Sequence, residues 1–129
     1  MRELMLRVLL VEDNPIYRMV LKDQLSQRFP KCTIDEAKSG EESLIMINAA
    51  PPHLVFVDIR LPGMNGLQLT QKIKKDFPHV RIAIVTGYDL PEYRQAASQY
   101  GADGFFLKES LKWNEIEDLV ESIPSEGRV

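Results

Sequence analysis

The chain is expected to fold as a doubly wound α/β domain, a five-stranded parallel sheet with helices on both faces. Three observations predict it. Five short apolar runs alternate with longer amphipathic segments, giving the order (βα)5. Three of the runs, Val8–Val11, Leu54–Val57 and Ile82–Val85, are apolar throughout rather than alternating, as parallel strands covered on both faces must be. Helix start and stop residues fall between the runs. Short connections and right-handed crossovers then leave the open parallel sheet as the natural solution.

In order, the strands are expected at Leu6–Val11, Cys32–Ile34, Leu54–Val57, Ile82–Val85 and Gly104–Leu107. Asn14 before Pro15 opens the first helix as N-cap and first-turn proline. Ser39 with Glu42 reads as a capping box for the second. Asn65-Gly66 and Asp89 open the third and fourth. The last helix is expected from about Ser110, with Leu111, Ile116, Leu119, Val120 and Ile123 at helical spacing. Pro30, Pro51-Pro52, Pro78 and Gly101 mark the ends of the first four.

Composition narrows the function classes. The 129 residues suffice for one domain with a real core, placed at 1–124, with 125–129 as a tail or the start of a linker. A net charge of -3 lacks the basic excess that a nucleic-acid surface needs, so no direct nucleic-acid binding by this chain is expected. Cys32, the single cysteine, excludes an internal disulfide and fits a reducing compartment. No apolar run is long enough for a signal-peptide core or a membrane span, so a soluble cytoplasmic protein is the default.

In open parallel sheets ligands bind beyond the carboxyl ends of the strands. There the first strand ends in Glu12-Asp13, the third in Asp58, the fourth in Thr86-Gly87 and the fifth in Lys108. Taken singly, each has a plain structural role: acids before a helix suit its dipole, Asp58 and Thr86 can be turn residues, and a lysine after a strand is commonly solvated. Core packing requires none of them together at one edge. Three crowded carboxylates repel unless a cation neutralises them, and an all-oxygen site suits Mg2+, with Mn2+ as an alternative. A carboxylate beside that metal can attack phosphorus to give an acyl phosphate. Lys108, the Thr86 hydroxyl and a backbone N–H would then meet the equatorial oxygens, and Gly87 leaves room for the incoming group.

Four stretches carry a resemblance: Val11-Glu12-Asp13-Asn14, Val57 to Gly66 (V-D-I-R-L-P-G-M-N-G), Val85-Thr86-Gly87, and Gly101 to Lys108. Through them the chain resembles the receiver domain of two-component response regulators from about Val8 to Ile123. The Gly-Phe-Phe-Leu-Lys stretch is similar to receivers of the NarL/LuxR type. The resemblance implies a flavodoxin-like fold with sheet order 2-1-3-4-5. It implies that Asp58 accepts phosphate from a sensor histidine kinase or phosphotransfer protein. Asp13, Asp58 and the backbone carbonyl of Arg60 would hold Mg2+, with Glu12 acting through water. Thr86 and Lys108 would contact the phosphoryl group. Thr86 and Phe105 would form the switch, changing the surface of the fourth helix, fifth strand and fifth helix. A phosphorylation-dependent homodimer and a DNA-binding output domain in a longer regulator, with transcriptional control, follow as implied partners and output. Such a domain is no enzyme beyond its own phosphorylation and dephosphorylation.

The chain departs from the family pattern in places. Glu109 stands where many receivers have a proline, leaving the Lys108–Glu109 peptide open between trans and a cis form costing about 2.5–4 kcal/mol. Phe105 replaces a frequent tyrosine and has no hydroxyl for an outward hydrogen bond. Arg60 and Tyr88 are large neighbours of the site. Other readings stand beside the switch. One is a degenerate receiver that only docks proteins. Another is a metal-dependent phosphatase of the haloacid-dehalogenase type, which would need an aspartate where Arg60 stands. A flavodoxin-like cofactor binder would need a glycine- and hydroxyl-rich first loop. The polar Pro-Ser-Glu-Gly-Arg tail leaves two readings, a stand-alone receiver or a piece of a longer regulator, and its linker-like composition favours the second.

Overall fold

The computed structural model describes residues 5–124. The tail read as a linker start, 125–129, lies outside the described residues. Five strands and five helices alternate: β1 (Arg7–Val11), α1 (Pro15–Arg28), β2 (Thr33–Ala37), α2 (Gly40–Ala49), β3 (Leu54–Val57), α3 (Gly66–Asp76), β4 (Arg81–Thr86), α4 (Pro91–Gln99), β5 (Gly104–Leu107) and α5 (Trp113–Glu121). All strand pairs are parallel, and the sheet order is β2-β1-β3-β4-β5. The order implied by the resemblance is the one observed.

The continuous apolar strands serve two cores at once, because successive side chains point to opposite faces. Leu9, Val11, Val55, Val57, Ile82 and Ile84 join one buried cluster with Leu69 and Ile73 of α3. Val8, Leu10, Leu54, Phe56, Ala83, Val85 and Phe106 join the other with Leu21 and Leu25 of α1 and Ile116 and Val120 of α5. A strand alternating with polar residues could satisfy only one face.

Local signals set the helix starts with two exceptions. Asn14 caps α1, its Oδ1 accepting the N–H groups of Ile16 and Tyr17. Ser39 Oγ accepts the Glu42 N–H at α2, while a reciprocal capping box forms at α3 between Asn65 and Gln68. Asp89 does not cap α4: Leu90 holds that position, Pro91 opens the helix, and Asp89 pairs with Arg94 instead. The last helix begins at Trp113 rather than near Ser110. The Ser110 N–H closes a turn onto the Leu107 carbonyl, and the first helical carbonyl is that of Lys112. Leu111 therefore packs on the core from a loop. The Lys108–Glu109 peptide is trans.

Candidate phosphoryl-transfer site

Strand register brings the acids together. Val11 pairs with Val57, so the residues that follow, Glu12 and Asp58, emerge side by side at the same sheet edge. The Asp58 N–H donates to the Val11 carbonyl at 3.1 Å, tying β3's exit to β1. Thr86 closes β4 between Asp58's strand and β5, and the Lys108 N–H donates to the Thr86 carbonyl at 2.9 Å. Glu12, Asp13, Asp58, Thr86 and Lys108 thus all stand at the C-terminal edge of the sheet. Arg60 stands two residues past Asp58, exposed, with its guanidinium stacked 3.5 Å above the Tyr88 ring.

The charges are arranged with one cation among three anions. Glu12, Asp13 and Asp58 each offer an oxygen within 4.8 Å of the others. Lys108 Nζ lies 2.7 Å from Glu12 Oε1 and 2.9 Å from Asp58 Oδ2. Glu12 and Asp58 are buried, whereas Asp13 is open to solvent. Burial pushes the Glu12 carboxyl up, outweighing the Lys108 and Asn14 hydrogen bonds that pull it down. Burial also works to lower the Lys108 ammonium, but hydrogen bonds and charge from Glu12 and Asp58 win and raise it above 10.5. The stabilisation from Lys108 is therefore fully present below 10.5 and is lost as pH rises through the higher folded value.

Two buried oxygens here, Asp58 Oδ1 and Thr86 Oγ1, have no hydrogen-bond partner among the described residues. Leaving such groups unpaired costs roughly 1–3 kcal/mol each. Core packing has no use for them; a cation or a phosphoryl oxygen has. An all-oxygen donor set with a free carboxylate oxygen fits Mg2+ chemically.

Phe105 lies in β5, half-buried against the core cluster that includes Ile84, its register partner. Arg94 of α4 covers its ring at 4.6 Å. Sequence reasoning missed both Arg94 and Tyr17. The Tyr17 ring sits 4.7 Å from Lys108 Nζ, and its phenol is pushed up to about 12, chiefly by burial, with Glu12 and Asp58 adding to the rise and Lys108 opposing it. An aromatic in the first helical turn after the acid pair was the available signal for Tyr17. Arg94 had none, since its contact depends on how α4 lies across β5.

A profile of the response regulator receiver domain family matches residues 8–121. The chain belongs to the response regulator receiver domain family. It is 30% identical to the nitrate/nitrite response regulator protein NarL of Escherichia coli over 116 residues, covering 90% of this chain and 52% of that protein. It is 31% identical over 104 residues to the response regulator GacA of Pseudomonas protegens, covering 81% and 49%. This receiver therefore spans about half the length of those curated relatives. Among solved structures, the signal receiver domain of the putative response regulator NarL from Mycobacterium tuberculosis superposes with a TM-score of 0.82 at 28% identity, covering 98% of this chain and 100% of that one. TrrA from Thermotoga maritima, solved with Mg(2+)-BeF, superposes at 0.79 with 32% identity, covering 93% and 100%. The chain is thus a receiver of the NarL/LuxR type, the phosphoacceptor module of a response regulator.

Replacing Lys108 tests the charge arrangement of this receiver. Lys108→Ala leaves Glu12 and Asp58 buried beside each other without their ammonium. We expect a stability loss of about 1–3 kcal/mol in EDTA, discounted from the fully buried case because Lys108 is partly solvated. Added Mg2+ should recover more stability in this variant than in the wild type, read from denaturant melts with and without the metal. An unchanged EDTA midpoint would show that Lys108 does not hold the acids.

Proposed function

We propose that Asp58 is the phosphoacceptor of this receiver and that uptake is metal-dependent. The observation that carries the proposal is the state of the Asp58 carboxylate: buried, with Oδ2 held by Lys108 and Oδ1 unpaired beside Glu12 and Asp13. Asp13, Asp58 and the Arg60 carbonyl would hold Mg2+ or Mn2+, with Glu12 contributing through water; the cation supplies charge neutralisation where an anionic donor meets three acids. The solved Thermotoga maritima receiver with Mg(2+)-BeF supports that choice of metal.

The donor is the phosphohistidine of a sensor histidine kinase or phosphotransfer protein. An Asp58 oxygen bonds to phosphorus as the P–N bond breaks, and the histidine leaves as imidazole with a proton on its other ring nitrogen. Lys108 then follows charge from the carboxylate to a phosphoryl oxygen, and the buried Thr86 hydroxyl gains the acceptor it lacks. As Thr86 shifts, the Phe105 ring turns into the space it vacates, and the α4–β5–α5 surface changes. The chain acts as a switch, with no turnover of an external substrate. The receiver is read as 1–124, with 125–129 as a tail or the start of a linker. Kinship with NarL-type regulators supports a DNA-binding output and transcriptional control, with phosphorylation-dependent pairing of two receivers as the coupling step and no nucleic-acid contact by this chain itself. A cytoplasmic location belongs to this reading, as does the sensor-kinase donor; among the described residues no helix is long and apolar enough to cross a membrane.

Incubation with Mg2+ and phosphoramidate, followed by intact-mass measurement, tests the proposal. The expected result is a gain of one phosphoryl group that EDTA prevents. Folded, Mg2+-binding protein that gains no mass would instead make this a docking receiver.

A further inference from the structure

We propose that Tyr17 is a positioning residue for Lys108, its ring being the surface that keeps the ammonium aimed at Asp58. This deepens the phosphoacceptor reading of Asp58 and rests on it. Lys108 ends a flexible stem and is only partly buried, so its direction has to be imposed by neighbours. Two of these are carboxylates, Glu12 Oε1 at 2.7 Å and Asp58 Oδ2 at 2.9 Å. Both cannot hold it through the reaction. Once an Asp58 oxygen is phosphorylated, its own pull on the ammonium weakens and Glu12 competes with the phosphoryl oxygens for Lys108.

The Tyr17 ring, 4.7 Å from Nζ, provides a third contact that phosphoryl uptake leaves unaltered. It is well anchored. Pro15 and the Asn14 cap set the first turn of α1, with the Tyr17 N–H donating to Asn14 Oδ1 at 3.2 Å. The ring body packs on the core between the sheet and helices α1 and α5. The buried hydroxyl has no hydrogen-bond partner among the described residues, so the contact with Lys108 is made by the ring face. A carboxylate in this place would bind the ammonium more strongly but would repel the donor. A neutral aromatic holds it without adding charge.

The test compares phosphorylation rates with phosphoramidate and Mg2+ in wild type, Tyr17→Phe, Tyr17→Leu and Tyr17→Met. Tyr17→Phe keeps the ring and should stay within about twofold of wild type, whereas the Leu and Met variants should slow roughly five- to tenfold. In a Lys108→Ala background the Tyr17→Leu change should cost nothing further, as expected of a residue that acts only through Lys108. By NMR, the Lys108 ε-methylene protons should be shifted upfield by the ring in wild type and Tyr17→Phe and return to ordinary lysine positions in the other two. Two aliphatic variants are used so that misfolding of one does not decide the matter. Wild-type rates in both, a loss in Tyr17→Phe equal to theirs, or an undiminished effect in the Lys108→Ala background would each overturn this inference alone. Wild-type protein that takes up no phosphoryl group would overturn the phosphoacceptor reading and the inference with it.

Discussion

Asp58→Asn is expected to abolish the mass gain from phosphoramidate and Mg2+ while leaving the fold at least as stable in EDTA. The first half follows from chemistry: an amide oxygen is a far weaker nucleophile than a carboxylate, and it is also a weaker ligand for a hard cation. The second half follows from the charges. Three acids share a site whose oxygens lie within 4.8 Å of one another, and the amide removes one negative charge from that group. Lys108 keeps its shorter contact with Glu12 Oε1, so the ammonium is not orphaned. Thermal melts should therefore place the variant at or above the wild type without metal. Wild type should gain about 1.4 kcal/mol at a Mg2+ concentration tenfold above its dissociation constant, and the variant clearly less. A phosphoryl group that still arrives on Asp58→Asn would move the acceptor elsewhere, with the exposed Asp13 the first place to look.

Gly66→Ala should be among the most damaging single-methyl changes in the chain. Gly66 is the first residue of α3, and its N–H donates to the Ile59 carbonyl at 2.8 Å, pressing the helix start onto the end of β3. A Cβ there would lie 2.0 Å from the Asp58 carbonyl oxygen and 2.8 Å from Ile59 Cα. Those are backbone atoms, so neither a rotamer change nor a flexible tip can relieve the overlap; α3 and the strand end must separate. We expect a loss of about 3 kcal/mol or more by denaturant unfolding. The folded fraction should also phosphorylate more slowly, because the displaced backbone is the one that carries Asp58. Gly87→Ala is the control, since a Cβ at Gly87 meets nothing within 4 Å, and its stability should stay within about 0.5 kcal/mol of wild type. Equal behaviour of the two would show that the Gly66 contact is not tight.

The division between what sequence and structure each decide runs along the range of the interactions. Alternation of element types, the apolar strands and the Asn14, Ser39 and Asn65 caps are written in neighbouring residues, and they determine a (βα)5 sheet and where its first three helices begin. Once that sheet is drawn, Glu12, Asp13, Asp58, Thr86 and Lys108 must lie at its carboxyl edge, so the candidate site was legible before any coordinate. The family resemblance added the strand order, whereas the expectation of a hard cation came from the crowding of the three acids.

Local turn closure that the residue types do not announce, together with long-range packing, decided the remainder. The start of α5 moved to Trp113 because the turn after Lys108 closes on Leu107, and Asp89 left its cap for Arg94, a partner that becomes available only once α4 is formed. The sharing of Lys108 between Glu12 and Asp58, the ring of Tyr17 beneath it and the Arg94 guanidinium over Phe105 join residues far apart in the chain or on different elements. Residue types and spacings determine which groups reach an edge. Only the packed structure determines which of them touch, because burial and strand register, rather than sequence distance, set the few ångströms over which a hydrogen bond or a ring contact acts.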